Sequence, residues 1–88
     1  MDDNKNKTLL VIDNDEETLK NVDEVLIKEG YTTFTSSNLE TSYSIIDSNQ
    51  IDMVLLDIHS LMKNGIDAYE ALKSRYPDLS IVVTSHNS

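Results

Sequence analysis

Apolar residues along this chain fall into two alternating patterns. Short, nearly unbroken runs appear at "TLLVI" (8–12), "YTTFT" (31–35), "DMVLLDI" (52–58) and "SIVVTS" (80–85). Between them, apolar residues recur every three or four positions: Leu19, Val22, Val25 and Leu26, then Leu39, Tyr43 and Ile46, then Ile66, Tyr69 and Leu72. The continuous runs suit strands buried on both faces, and the spaced sets suit amphipathic helices. Local signals mark the helix ends. Asn14 or Asp15 can cap the first helix, with Glu16 and Glu17 in its first turn, where the dipole favours anions. Lys28 lies near its end and Gly30 closes it. Ser37 and Glu40 have capping-box spacing for the second helix. The third follows Gly65 and runs to Arg75, with Pro77 in the next connection.

The order is therefore β-α-β-α-β-α-β, which predicts a parallel sheet in an α/β layer fold. Its 88 residues make one domain, with the polar residues 1–6 a flexible N-terminus. An apolar fraction of 39% is enough for a core. The chain has no cysteine, so disulfides and thiolate metal sites are excluded. No apolar run approaches the ~20 residues of a membrane helix, and no secretory leader is recognisable, so a reducing, cytoplasmic setting is expected. The net charge of −9 disfavours nucleic acid and anionic membranes, and favours cations or a basic protein face.

Chemistry is expected where the strands end, because open α/β sheets bind ligands beyond their carboxyl edges. Those edges carry Asp13-Asn14-Asp15, Asp57 and Thr84-Ser85. Singly, each is ordinary: Asp15, Glu16 and Glu17 serve as helix-start residues, and an Asp after a strand usually begins a turn. The combination is more telling. If the first and third strands are neighbours, acids gather there as hard oxygen ligands, and a cation such as Mg²⁺ relieves their repulsion.

These pieces resemble the receiver domain of two-component response regulators over Lys7 to Ser85. The matching stretches are "LLVIDND", "KEGY", "DMVLLDI", Gly65 eight residues after Asp57, and "IVVTS". The resemblance implies a flavodoxin-like open parallel sheet of order 2-1-3-4. It implies that Asp57 accepts a phosphoryl group from a histidine kinase or phosphotransfer protein. Asp13 belongs by position to the acidic pair supporting Mg²⁺, Asn14 falls at the pair's second acid, and His59 offers the metal its backbone carbonyl. Thr84 is the hydroxyl that turns toward the phosphate, and Ser85 its small neighbour with a usable N–H. Beyond phosphorylation and dephosphorylation of its own aspartate, such a module is not an enzyme.

The match departs from the family in three places. Asn14 is a neutral and weaker ligand than a carboxylate, so weakened Mg²⁺ binding is expected. The loop "HSLMKNG" has Ser60-Leu61 where the family usually has Met-Pro. The chain stops after the fourth strand, so the fourth helix, fifth strand, fifth helix and the phosphate-pairing lysine are absent, which reads as an incomplete receiver over 1–88. Right-handed crossovers place the first helix on one face and the other two opposite. That predicts a bare face on strands three and four beside the first helix, and an exposed apolar edge at "SIVVT" open to self-association or strand exchange. Two rival readings follow. One is a pseudo-receiver, a protein-binding module independent of phosphorylation. The other is a haloacid-dehalogenase-like phosphatase fragment, with Asp13 as nucleophile and Asp15 as acid. His59 and His86 read as surface histidines rather than a metal site.

Overall fold

The structure, a computed structural model, describes residues 7–57 and 65–84. Seven elements alternate: β1 (Thr8–Ile12), α1 (Glu16–Lys28), β2 (Thr32–Ser36), α2 (Leu39–Ser48), β3 (Met53–Asp57), α3 (Gly65–Arg75) and β4 (Ile81–Thr84). All strand pairs are parallel and the sheet order is β2-β1-β3-β4. The predicted α/β fold and its strand order are both present.

Alternation along the strands divides the apolar residues between two faces. Leu10, Ile12, Val54 and Leu56 are wholly buried and pack with Ala68 and Leu72 of α3. Phe34, Leu39, Tyr43, Ile46 and Ile81 are among the partly buried residues packed against it. Burying each large aliphatic side chain contributes about 1.5–3 kcal/mol, so this face is the main source of cohesion. The intervening residues Leu9 and Val11 face the other way, toward α1, whose Leu19 is buried. One helix on one side and two on the other is the arrangement that right-handed crossovers require.

Cover thins toward β4. Leu55 is half-buried and Val82, its neighbour in register, is 40% exposed, as expected beside α1. Val83 is 41% exposed although it points to the opposite face. Hence β4 is partly uncovered on both faces, with Ile81 packed on the core, whereas a bare face was expected on the α1 side together with an exposed apolar edge at "SIVVT". Val25, assigned to the inner stripe of α1, is 59% exposed, so the inner stripe rests on buried Leu19 with half-buried Val22 and Leu26.

The ends of the elements shift by single residues for identifiable reasons. Gly30 has φ 98°, a conformation that costs glycine little, and the chain leaves α1 in a Schellman motif. Tyr31 N–H donates to the Leu26 carbonyl at 3.1 Å and Gly30 N–H to that of Ile27 at 3.0 Å. Tyr31 is thus committed to the helix end, and β2 starts at Thr32 rather than at 31. The N-cap of α2 is Asn38, not Ser37: its side chain accepts the Thr41 N–H at 2.8 Å. At α1 the N-cap is Asp15, but its carboxylate accepts the Thr18 hydroxyl at 2.5 Å rather than a backbone N–H.

Candidate functional site

The β1–β3 pairing sets Ile12 beside Leu56, so the residues that follow, Asp13 and Asp57, lie together at the carboxyl edge. Both are buried, 2% and 3% exposed, among the few described polar residues so placed. They share a cavity of about 230 Å³ on the α1 side of the sheet, with Thr84, Thr18, Val11, Val22 and Leu55 among its walls. Thr84 reaches it because β4 pairs Thr84 with Asp57 in register. Its hydroxyl leans back to the Leu56 carbonyl at 3.5 Å, a long and weak contact that leaves it easily redirected.

Asp13 is fixed at both ends. Its N–H donates to the Ser36 carbonyl at 3.1 Å, and its Oδ1 accepts the Asp15 N–H at 2.9 Å. The Asp15 carboxylate is occupied by Thr18, so Asp15 acts in the helix start, as its position suggested. Asn14 is exposed and is not among the cavity's lining residues. His59, Ser85 and His86 lie outside the described residues. Thr18 is the site residue that sequence reasoning missed. It stands one helical turn before Val22 on the same side of α1, a spacing that places it over the strand ends.

The donor set is two buried carboxylates beside space for water. That suits Mg²⁺, which is usually held by one or two carboxylates and keeps several waters. No group of three or more His, Cys, Asp or Glu side chains able to hold a metal occurs among the described residues. A larger cleft of about 410 Å³ lies between α1, the end of β2 and the start of α2, and contains neither acid.

A second charged cluster sits at the other edge of the sheet, where α2 and α3 end. Arg75 stacks 4.2 Å above the Tyr43 ring and lies 3.9 Å from the Asp47 carboxylate. Tyr76 donates its hydroxyl to Asp47 at 2.8 Å. Desolvation, and then this bond, hold the Tyr76 phenol above its ordinary value, and its contact with Tyr76 raises that of Arg75.

Comparison with known proteins decides the family. Residues 9–88 match the family model of the response regulator receiver domain. The chain belongs to that family. It is 35% identical over 80 residues to the transcriptional regulatory protein CpxR of Escherichia coli K12, covering 91% of this chain and 34% of that protein. It is 28% identical over 85 residues to the autoinducer 1 sensor kinase/phosphatase LuxN of Vibrio campbellii, covering 97% of this chain and 10% of LuxN. The receiver thus spans about a third of the length of CpxR, and less of LuxN. Among solved structures it resembles the response regulator TrrA of Thermotoga maritima in complex with Mg²⁺ and BeF, with TM-score 0.79 and 27% identity over 93% of this chain and 71% of TrrA. The same likeness holds to TrrA in its complex with the histidine kinase ThkA. The described part of the receiver has no helix long and apolar enough to cross a membrane. The receiver match includes the Asp13–Asp15 turn, and so displaces the phosphatase reading of those acids.

Proposed function

We propose that this receiver is the phosphoacceptor of a two-component relay and that Asp57 takes the phosphoryl group. The observation that carries this reading is the joint burial of Asp57 and Asp13 around one cavity, with Thr84 in register beside Asp57. A carboxylate can act as a covalent nucleophile. A carboxylate oxygen of Asp57 attacks the phosphorus of a phosphohistidine, the P–N bond breaks, and the imidazole keeps the electron pair. Phosphoryl transfer depends mainly on positioning and charge neutralisation. Asp13 and Asp57 would hold Mg²⁺, with the His59 carbonyl and the exposed Asn14 added by analogy of position, and the metal would supply that neutralisation. Thr84 gives up its long contact with Leu56 to bond the new phosphoryl oxygens, and Ser85 adds its N–H.

The donor is a histidine kinase or a phosphotransfer protein, a reading supported by the likeness to TrrA, whose structure with the kinase ThkA is known. The setting is cytoplasmic. Uncovered Val82 and Val83 also make β4 a surface for self-association. The test of the acceptor is incubation with a small phosphodonor and Mg²⁺, read by intact mass. One phosphoryl adduct in the natural chain and none in Asp57→Ala is expected. The absence of an adduct at every Mg²⁺ concentration would overturn the reading and favour the pseudo-receiver, which the neutral, exposed Asn14 makes the specific alternative.

A further inference from the structure

Two other polar residues are buried among those described, Ser36 and Ser42, 4% and 0% exposed. A buried hydroxyl is costly unless it is bonded. These two lie within hydrogen-bond distance of each other and of a single carbonyl, and share their two protons among the three contacts. Ser42 Oγ lies 3.0 Å from Ser36 Oγ, and each hydroxyl lies 2.7 Å from the carbonyl oxygen of Asn38. That carbonyl also accepts the Ser42 N–H at 3.2 Å, and Asn38 N–H donates to Ser36 Oγ at 3.3 Å. Asn38 is the N-cap of α2 and Ser36 the last residue of β2. The knot therefore ties the first turn of a helix to the end of a strand.

The significance lies on the other side of Ser36. Its carbonyl is the acceptor for the Asp13 N–H, just beyond the β1–β2 ladder. Whatever fixes the peptide of Ser36 fixes the backbone from which the Asp13 carboxylate projects into the cavity. We propose that Ser36 and Ser42 are positioning residues for Asp13, setting its carboxylate for the cation it shares with Asp57. The inference rests on the reading of Asp13 as a metal-site residue. Neither hydroxyl lines the cavity that holds Asp57, so both act through Asp13 alone.

Partners that orient a metal ligand are typically worth about 10–100-fold in affinity. Here the tie acts through a backbone bond, one step further out, so a loss at or just below tenfold is expected. The test uses the whole chain, titrated with Mg²⁺ and followed by the amide resonances of Asp13 and Asp57. Hydrogen exchange of the Asp13 amide is measured alongside, without metal. Ser36→Ala and Ser42→Ala are expected to weaken Mg²⁺ binding by roughly five- to tenfold. They are also expected to speed exchange at Asp13 while leaving Leu10 exchange unchanged. Ser36→Thr keeps the hydroxyl on a strand position that tolerates β-branching, and is expected to restore both values. If Ser42→Ala does not fold, the contrast between Ser36→Ala and Ser36→Thr decides alone. A natural chain that binds Mg²⁺ with the same affinity as Ser36→Ala overturns the positioning role only. A natural chain that takes no Mg²⁺ overturns the metal reading and the positioning role together.

Discussion

The two faces of one sheet are built from alternate residues of the same strands, yet they are finished differently. On the α2/α3 side, Leu10, Ile12, Val54 and Leu56 have no exposure at all, and cover opens at Val83 of the outer strand, 41% exposed. On the α1 side, cover falls from buried Leu9 and Val11, through half-buried Leu55, to Val82 at 40%. The cavity holding Asp13, Asp57 and Thr84 opens on the second face. A closed core has no room for a hydrated cation and a phosphoryl group. On the proposed function, the better-packed face supplies rigidity and the thinly covered one supplies access.

That contrast can be tested in order of expected effect. The largest should come from Leu56→Ala, which leaves a cavity in the sealed face and is expected to cost about 2–5 kcal/mol in a urea melt. Its neighbour Leu55→Ala is only half-buried and should cost about half as much, roughly 1–2 kcal/mol. Equal losses at the two positions would erase the distinction between the faces. Asn38→Ala removes the cap of α2 and is expected to cost about 1 kcal/mol in the same melt. Val82→Lys with Val83→Lys should change stability by no more than about 0.5 kcal/mol. In sedimentation at high concentration the double variant should lack the self-association proposed for the natural chain. A natural chain that stays monomeric would remove β4 as a contact surface.

The smallest effect concerns the far edge. Because the Tyr76 phenol is raised in the folded protein, its contribution is full below the ordinary tyrosine value of about 10 and is lost as pH rises through the folded value. Stability of the natural chain should therefore fall above about pH 10 more steeply than that of Tyr76→Phe. Parallel curves would show that the partly exposed Asp47–Tyr76 bond carries nothing measurable.

Much of this architecture was legible because the two periods of apolar residues differ so plainly. "TLLVI" and "MVLLD" cannot form amphipathic helices, and Leu39, Tyr43 and Ile46 cannot lie on one face of a strand. The resemblance then pointed to Asp13, Asp57 and Thr84 before any geometry was known. The details that spacing could not decide involve competition between equivalent choices. Ser37 and Asn38 are both good N-caps, and the choice fell to Asn38 because its carboxamide reaches Thr41 while its carbonyl collects the hydroxyls of Ser36 and Ser42. Val25 keeps helical spacing with Val22 but stands exposed. The exposure of Val83 depends on what stands beside β4, which no local pattern records. Thr18 was overlooked because a threonine in a first turn reads as surface.

The pairing of Thr84 with Asp57 has one further consequence, for how this chain can tolerate change. Side chains on a strand alternate, so Thr84 reaches the cavity only while β4 keeps its parity relative to β3. The connection from Tyr76 to Ser80 helps hold that parity, because Leu79 packs on the core and its N–H donates to the Tyr76 carbonyl at 3.0 Å. A slip of β4 by a single residue would turn Thr84 toward the opposite face and bring Val83 over Asp57. The slip would also turn Ile81 out of the core, and the hydroxyl beside Asp57 would be replaced by a valine side chain.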